Sequence, residues 1–375
     1  MLVRKHISWL STLLGAGLLL VTGSAFAEYG LNMPPGVTEI SREVYDLHML
    51  IFWICVAIGV IVFGAMFYSI FYHRKSRGAV AAHFHESTAA EIAWTIIPVL
   101  ILIAMAIPAT KTLLKMVDVE NADVTIKITG YQWKWRYDYI DQNVGYFSVL
   151  STPRDQIENK AEKGEHYLRE VDRPLVVPVG KKIRLLVTSN DVLHAWGVPD
   201  LAVKTDAIPG FINETWTRID EPGFYRGQCA ELCGKDHGFM PIVVEAKSEA
   251  DYQAWMTEQK AAAMASAEDP DKVWTLDESL AKGEQLYTVN CSGCHQASGE
   301  GLPGAFPALK GSKIATGPVA DHLNIVLHGK AGTAMAAFGP QLNDSELAAI
   351  LTYERNAWGN KTGDVIQPTQ VKAAR

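Results

Sequence analysis

The stretch CAELCGKDHGFM, residues 229–240, decides how the soluble part of this chain folds, because metal-binding side chains are followed at once by a strand pattern. Its loop holds two thiols, an imidazole and a thioether, at Cys229, Cys233, His237 and Met240. Soft sulfur donors combined with imidazole favour copper, whereas calcium and magnesium prefer oxygen. The apolar run PIVVEA at 241–246 then predicts a β-strand. A ligand-rich loop that leads into a rigid strand is typical of copper domains that transfer electrons.

The N-terminus indicates export from the cytoplasm. Arg4 and Lys5 precede an apolar stretch, and AFA at 25–27 fits the small-residue pattern of a cleavage site. Residues 1–27 are therefore interpreted as a signal peptide. A membrane span that stays in the mature protein is the alternative interpretation.

Two further apolar segments predict a transmembrane hairpin within residues 28–112. Residues 47–72 and 92–110 are each long enough to supply the roughly 20 apolar residues that a bilayer requires. The basic cluster HRKSR at 73–77 places the loop between them in the cytoplasm by the positive-inside rule. Everything after Lys111 should then lie outside the cytoplasm. This location, together with the net charge of −7, excludes nucleic acid as a partner.

Short alternating segments after the hairpin predict an all-β domain over residues 113–246. Turn signals such as PVG at 178–180 and EPG at 221–223 separate these segments. The predicted strands cover residues 124–129, 133–139, 175–177, 183–187 and 215–219. The composition then shifts to Ala, Glu, Lys and Gln at 247–277, which predicts a helix and a linker before a second exported domain.

The number of available donors indicates how many metal ions the first motif would bind. In an oxidising compartment, a disulfide between Cys229 and Cys233 is the alternative, but it would explain neither the imidazole nor the thioether downstream. A mononuclear blue copper site needs one thiolate and two imidazoles, and this loop offers two thiolates. His166 lies in a charged loop and is interpreted as a surface residue, whereas His194 lies in a predicted turn after the predicted strand 183–187.

Counting donors therefore predicts a dinuclear copper site. Cys229 and Cys233 would bridge the two ions, His194 and His237 would be terminal ligands, and Met240 would be a weak ligand.

A second motif, CSGCH at residues 291–295, is the attachment signature of a c-type haem. Cys291 and Cys294 would form thioethers to the porphyrin, and His295 would be the proximal iron ligand. The alternative is a redox dithiol beside an unrelated histidine. The signature is specific, so the haem interpretation is favoured.

The sixth iron ligand is predicted from the residues that follow the haem motif. Met335 is the only methionine after His295, and a thioether suits a Met/His cytochrome. His322 and His328 are the competing ligands. The predicted cytochrome domain covers residues 278–362, and the polar tail at 363–375 is expected to be disordered.

On these features the chain resembles subunit II of haem–copper cytochrome c oxidase, in the variant with a fused C-terminal cytochrome c domain. The resemblance rests on the hairpin, on the loop at 229–240 and on three further motifs. These motifs are GYQWKWRY at 130–137, LHAWGVP at 193–199 and KTDAIPG at 204–210. The resemblance implies a multidomain membrane protein that has a two-helix transmembrane hairpin, an all-β cupredoxin-like domain and an all-α class I cytochrome c domain.

The resemblance also implies cofactors and residue roles. The cupredoxin-like domain would hold a dinuclear copper A centre, with the backbone carbonyl of Glu231 as a further ligand, and the second domain one covalent haem c. The family uses the carboxylate matching Glu231 for a magnesium ion shared with subunit I. Trp133 matches the family's electron-entry residue, and Glu91 matches a glutamate at the mouth of a proton pathway. From the residues alone, Trp133 would be a core aromatic, and Glu91 would close a capping box with Thr88 at the start of the second membrane helix.

The function that the resemblance implies is electron input to a respiratory oxidase. Electrons from cytochrome c or another periplasmic donor would pass through the haem and copper A to a haem in subunit I. There oxygen is reduced to water, and the reaction is coupled to proton pumping. The expected partners are subunit I, subunit III, the donor and the lipid bilayer. The expected location is the bacterial inner membrane, with both soluble domains in the periplasm.

Three other classes of protein share some of these features. A quinol oxidase subunit is expected to lack these copper ligands. A copper chaperone or thiol–disulfide protein needs neither Met240 nor a haem domain nor a hairpin. A haem-and-copper sensor or anchor that forms no catalytic complex is the third alternative, which metal and haem stoichiometry and co-purification with a large oxidase subunit would test.

Overall fold

The hairpin predicted from the sequence consists of two long helices. The computed structural model describes residues 32–81, 83, 85–265 and 272–375, so the predicted signal peptide lies outside the described residues. Helix α1 spans Glu39–Tyr72 and helix α2 spans Thr88–Met116, with a short 3₁₀ turn at Lys75–Arg77 between them. Both helices are long and apolar enough to cross a membrane.

The capping box predicted at the start of α2 is wrong. Thr88 is already the first helical residue, so Ser87 occupies the N-cap position, and its side chain makes no capping hydrogen bond. The backbone N–H of Glu91 donates to the Ser87 carbonyl oxygen at 3.0 Å. Glu91 therefore interacts with the positive end of the helix only through its place in the first turn.

Charged residues connect the hairpin to the β-domain. The Lys115 ammonium donates to Glu39 and, at 2.6 Å, to Glu43, and Arg218 of the β-domain donates to the same Glu39. The Trp216 indole N–H donates to the Lys115 carbonyl at 3.0 Å. Isolated surface pairs contribute little, but here several charges from three segments share partners. This network holds the β-domain at the ends of both helices.

The β-domain is a sandwich of two five-stranded sheets, with strand orders β3-β2-β1-β5-β8 and β4-β10-β9-β6-β7. Strands β1 and β5 are parallel, as are β4 and β10, and the other paired strands are antiparallel. The strands are β1 Val124–Tyr131, β2 Lys134–Tyr139, β3 Val144–Ser148, β4 Leu175–Pro178, β5 Ile183–Ser189, β6 His194–Val198, β7 Val203–Ala207, β8 Asn213–Thr217, β9 Gly223–Cys229 and β10 Pro241–Lys247.

The core of the sandwich lies between the inner faces of the two sheets. Ile126 and Leu185 from one sheet and Trp196 and Ile242 from the other are fully buried. Burying each such side chain contributes about 1.5–3 kcal/mol. A one-turn helix, α3 (Arg154–Ile157), lies in the loop after β3, and helix α4 (Glu249–Ala265) follows β10 and adds Tyr252 to the same core. The strands at the metal-binding end are thus held by a rigid, well-packed interior.

The strand predictions are confirmed where apolar and polar residues alternate in the sequence, and they fail where this alternation is missing. The segments at 124–129 and 183–187 lie inside β1 and β5, whereas the segment at 215–219 was placed two residues too late relative to β8. His194, predicted in a turn, is the first residue of β6. Every residue of β6 is buried, so the strand shows no polar alternation.

The C-terminal domain is helical, which confirms the predicted architecture of hairpin, β-domain and α-domain. Its helices are α5 Leu276–Asn290, α6 Ser292–His295, α7 Val319–His328, α8 Asp344–Asn356 and α9 Pro368–Ala374. Helices α5 and α8 pack closely at Gly283, where an added Cβ would lie 2.2 Å from the Ala349 carbonyl oxygen. The Tyr287 ring of α5 packs against Tyr353 of α8, with 5.5 Å between ring centroids.

The prediction that residues 363–375 are disordered is wrong. These residues include α9, whose Val371 is fully buried, and Ile366 before it is buried as well. The Arg375 guanidinium donates to the carbonyl oxygens of Gly339 and Leu342 at 2.6 and 2.7 Å. The segment is polar overall, but two apolar side chains and one cation are enough to dock it on the helical domain.

Candidate metal and haem sites

The two thiols of the first motif lie side by side at the end of the sandwich. Cys229 ends β9, and Cys233 lies in the loop that leads to β10. Their sulfur atoms are 3.8 Å apart, both side chains are buried, and all five cysteines of the chain are free. A disulfide requires about 2.05 Å between sulfurs, so the two thiols are near neighbours without being bonded.

The two predicted imidazole donors approach the thiols through their Nδ1 atoms. His194 Nδ1 lies 3.9 Å from the Cys229 sulfur, and His237 Nδ1 lies 3.4 Å from the Cys233 sulfur. His194 reaches the site because β6 pairs with β9, which places Trp196 opposite Cys229. His237 reaches it from a 3₁₀ turn, His237–Phe239.

The remaining two donors close the set. The Met240 sulfur lies 3.5 Å from the Cys233 sulfur, and the Glu231 carbonyl oxygen lies 3.3 Å from the Cys229 sulfur. Met240 is buried, whereas the Glu231 side chain is exposed. Two sulfurs, two imidazole nitrogens, a thioether and a carbonyl oxygen therefore converge, and this soft donor set fits copper.

Asp191 holds His194 in the orientation that a metal ligand needs. Its Oδ1 lies 2.8 Å from His194 Nε2, so Nε2 donates to the carboxylate and Nδ1 faces the Cys229 sulfur. The other carboxylate oxygen of Asp191 accepts from the backbone N–H of Gln132 at 2.8 Å. Burial alone would lower the pKa of His194, but the hydrogen bonds to Asp191 and Cys229 outweigh it and raise the pKa.

The thiols are prepared for metal binding by their mutual hydrogen bond. The Cys229 and Cys233 sulfur atoms lie 3.8 Å apart, and this contact, with the His194 imidazole, lowers the pKa of Cys229 to about 3. The same interaction raises the pKa of Cys233 well above its usual value. Cys229 is therefore the easier of the two thiols to deprotonate, and a metal binds the deprotonated sulfur.

Trp133 and Gln132 lie directly against this loop. The Trp133 indole N–H and the Gln132 side-chain amide both donate to the Cys233 carbonyl oxygen, at 3.3 and 2.9 Å. A Cβ on Gly234 would lie 3.2 Å from the Trp133 ring, and Gly234 has a φ of +116°, so the close approach depends on this glycine. Glu91, by contrast, is exposed in the first turn of α2 and contributes to neither donor set.

A cavity of about 340 Å³ in the helical domain is lined by all four predicted haem residues: Cys291, Cys294, His295 and Met335. The His295 ring directs Nδ1 to the Pro307 carbonyl oxygen at 2.9 Å, which leaves Nε2 as the nitrogen available to iron. Burial raises the pKa of both thiols, so both are protonated at neutral pH. The residues present fit a covalently attached haem with one nitrogen and one thioether ligand.

The competing ligand His322 has a different partner. Its Nε2 lies 2.8 Å from a carboxylate oxygen of Glu354, and both side chains are buried in the cavity wall. Its Nδ1 is buried and has no partner among the described residues. Glu354 was not singled out from the sequence. His328 is exposed at the end of α7.

The haem cavity and the metal-binding loop share residues of the β-domain. Tyr131, Gln132, Lys134 and Asp191 complete the cavity wall. Gln132 also donates to the Cys233 carbonyl, and Asp191 also holds His194. Each of these two residues thus touches both the cavity and a donor of the other site.

Comparison with known proteins finds family models that match three parts of the chain. Family models match for the cytochrome c oxidase subunit II transmembrane domain at residues 27–112 and its periplasmic domain at 124–247. A third model, for cytochrome c oxidase, cbb3-type, subunit III, matches residues 278–353.

Similar proteins and structures carry the same description. The probable cytochrome c oxidase subunit 2 of Rickettsia bellii is 36% identical over 245 residues, which is 64% of this chain and 89% of the relative. Cytochrome c oxidase subunit 2 of Cereibacter sphaeroides is 34% identical over 269 residues, 65% of this chain and 89% of the relative. The crystal structure of the periplasmic domain of cytochrome oxidase subunit II from Bradyrhizobium japonicum is 41% identical. It covers 38% of this chain and 98% of its own, with a TM-score of 0.35.

Proposed function

We propose, from the premise that this chain belongs to the cytochrome c oxidase subunit II family, that it is an electron-input subunit whose own haem domain supplies its copper site. A haem–copper oxidase is an oxidoreductase complex, and the role of this subunit within it is electron transfer. The proposal adds the two cofactors and the order in which this chain's residues serve them.

The copper A centre is assigned to the six donors at the end of the sandwich. Cys229, Cys233, His194, His237, Met240 and the Glu231 carbonyl would hold two copper ions. Bound copper would supply one-electron oxidation and reduction. The chain keeps the donors in place on rigid strands and excludes water from Cys229, Cys233 and His194, all of which are buried.

The haem c is assigned to the cavity of the helical domain. Cys291 and Cys294 would attach it covalently, and His295 and Met335 would be its iron ligands. Bound haem would supply a second one-electron carrier. The Pro307 carbonyl fixes the tautomer and orientation of the His295 ring.

The observation that carries the proposed order is the pair of residues shared by the two sites. Gln132 lines the haem cavity and donates to the Cys233 carbonyl at 2.9 Å, while Asp191 lines the same cavity and holds His194 at 2.8 Å. Trp133, which follows Gln132 in the chain and donates to the same Cys233 carbonyl, is proposed as the electron-entry residue of the copper site. Single residues thus separate the two donor sets.

The remaining roles follow from membership of the family. Electrons would leave the copper site for a haem in subunit I, where oxygen is reduced and protons are pumped. Glu91 is proposed to lie at the mouth of a proton pathway, and the exposed carboxylate of Glu231 is proposed to bind a magnesium ion shared with subunit I. Subunit III and a periplasmic donor such as cytochrome c are further proposed partners. The proposed location is the bacterial inner membrane, with both soluble domains in the periplasm.

Metal and haem stoichiometry of the purified oxidase tests the proposal. We expect two copper ions and one c-type haem per chain in addition to the cofactors of subunit I, together with the near-infrared band of a mixed-valence copper pair. The matched control is the Cys233→Ser variant, which should lose that band and keep the haem c spectrum. A single copper ion per chain, or a disulfide between Cys229 and Cys233 in the purified oxidase, would contradict it.

A further inference from the structure

His322 of helix α7 and Glu354 of helix α8 lie side by side, buried in the wall of the haem cavity. Their side chains are 3% and 4% exposed, and His322 Nε2 lies 2.8 Å from a carboxylate oxygen of Glu354. A carboxyl group inside a protein is rare unless it is paired, because water no longer stabilises its charge. The hydrogen bond from His322 is therefore what allows this carboxylate to stay charged inside the domain.

The second ring nitrogen of His322 indicates that the imidazole is neutral. Nδ1 is buried and has no hydrogen-bond partner among the described residues. On a protonated ring both nitrogens carry hydrogen, so Nδ1 would be a charged, buried donor without an acceptor, which costs more than an unpaired neutral nitrogen. A neutral imidazole that donates through Nε2 leaves the pair with the full negative charge of Glu354.

Groups around the cavity respond to the negative charge of Glu354. Burial, and after it this charge, raises the pKa of the Cys291 thiol, and the same two causes raise the pKa of the Tyr287 phenol. The other charged residues in the cavity wall are Lys134, Asp191 and Lys330. Lys134 is the buried cation of this set, and its ammonium donates to the Asn290 side chain. The carboxylate of Glu354 is thus a buried negative charge in the wall that also carries the haem-attachment cysteines.

The buried charge of Glu354 bears on the redox chemistry of the cavity. A fixed negative charge makes reduction of a nearby group less favourable, because reduction adds a second negative charge at short range in a medium of low dielectric constant. We propose that Glu354, positioned by His322, lowers the midpoint potential of the haem held in this cavity and thereby favours transfer of its electron to the copper site. The proposal rests on the proposed function, because the copper site is the acceptor of that electron. One electron enters from the donor and one leaves to copper, and Glu354 keeps its charge throughout.

Removing the charge while keeping the shape of the side chain tests this role. Glu354→Gln keeps a carbonyl acceptor for His322, and Glu284→Gln makes the same change at an exposed position on α5 as the matched control. A redox titration of the complete oxidase, followed at the haem c absorbance, measures the midpoint potential. We expect Glu354→Gln to favour reduction of haem c about tenfold, a rise of about 59 mV for a one-electron couple. The control should stay near the unaltered value, because water and salt screen its charge.

Variants of His322 test whether this residue positions the carboxylate. His322→Gln keeps an N–H donor and should keep the potential near that of the unaltered oxidase. His322→Leu removes the donor, so the buried carboxylate takes up a proton and the potential should rise as in Glu354→Gln. Because both changes remove the same charge, the double variant should rise no further than Glu354→Gln alone. Additive rises would overturn the role of His322.

Haem content and the haem c absorbance spectrum show whether each variant has folded with its iron ligands. An unchanged potential in a folded Glu354→Gln variant would overturn the proposal, and His322→Leu provides the same test should Glu354→Gln bind no haem. Absence of electron transfer from haem c to copper in the unaltered oxidase would instead overturn the proposed function. The shift in midpoint potential would still be measurable in that case, so the two failures are distinguishable.

Discussion

At the scale of single residues, the copper site depends on side chains that would not bind copper themselves. Asp191 accepts the Nε2 proton of His194 and thereby directs Nδ1 to the thiols. The same carboxylate accepts the Gln132 backbone N–H, so the imidazole is tied to the strand end that also faces the haem cavity. The position of one carboxylate thus sets both the tautomer of a ligand and the spacing of two sites.

Replacing Asp191 by Leu should weaken copper binding. The His194 ring would lose the acceptor that fixes its tautomer, and losses of such partners typically cost 10- to 100-fold in metal affinity. Copper titration followed by the near-infrared band measures this, with Asp141→Asn, an exposed aspartate in the turn before β3, as the control. Affinity equal to that of the control would mean that Asp191 does not orient the ligand.

The buried hydrogen bond between His322 and Glu354 predicts that two substitutions of Glu354 differ in their effect on stability. Glu354→Leu removes the acceptor of His322 Nε2 and leaves a buried donor without a partner, which should cost about 1–3 kcal/mol. Glu354→Gln keeps a carbonyl acceptor and should cost less than Glu354→Leu. Thermal unfolding of the complete chain, followed by haem absorbance, compares the two. Equal losses in both variants would show that packing, and not the hydrogen bond, matters at this position.

The ligand roles of residues in short motifs were predictable because all residues of such a motif lie close together in the sequence. The copper donors in the 229–240 loop and the CSGCH motif are readable as soft ligands at close spacing. His322 and Glu354 lie 32 positions apart on two different helices, and no sequence pattern indicates that these two side chains meet. Asp191, three residues before His194, could have been found by asking what holds the second imidazole nitrogen.

At the scale of helices and strands, the structure departs from the predictions where burial and polarity do not follow a period. Strand β6 is buried at every position, so its donor His194 was expected in a turn. Helix α2 begins at Thr88, one residue earlier than its predicted capping box requires, because Ser87 occupies the N-cap. Helix α9 is mostly polar, and only its contacts with the helical domain explain why it is ordered.

Helix α9 should contribute measurably to the stability of the cytochrome domain. Ending the chain at Gln367 removes the buried Val371, worth about 1.5–3 kcal/mol. It also removes the two hydrogen bonds that Arg375 donates to backbone carbonyls. The melting temperature of the haem domain in the complete oxidase should fall. The control is Lys372→Ala, an exposed change on the same helix. An unchanged melting temperature after truncation would mean that α9 packs without stabilising the domain.

At the scale of the whole molecule, the order of the domains was predictable and their arrangement was not. Hydropathy, strand alternation and the haem motif each identify a domain from its own residues. The interface depends on pairs such as Lys134 with Asn290, which are 156 positions apart and of ordinary residue types. Lys134 also lies within an aromatic motif that indicates a buried strand, so its charge gave no reason to expect a contact with another domain.

The fused cytochrome changes how an oxidase of this kind receives electrons. A donor tethered by a short linker is held at an effective concentration on the order of millimolar beside its acceptor. If the tethered haem is the donor to the copper site, it is an obligatory relay, and Met335→Ala should then slow turnover with soluble cytochrome c steeply. The substitution removes the proposed iron ligand in the cavity wall but leaves the copper donors untouched.

Stopped-flow measurement with soluble cytochrome c distinguishes an obligatory relay from a side branch. Reduction of the copper site, followed by its near-infrared band, should slow by the same factor as turnover. The band of the oxidised site should keep its position and intensity. The control is Asn324→Ala, an exposed change on α7, which should alter neither rate. If the copper site of the Met335→Ala variant were reduced at the original rate, soluble cytochrome c would be reaching that site directly. The fused haem would then be a side branch, because an obligatory relay leaves an external donor only the route through the haem domain.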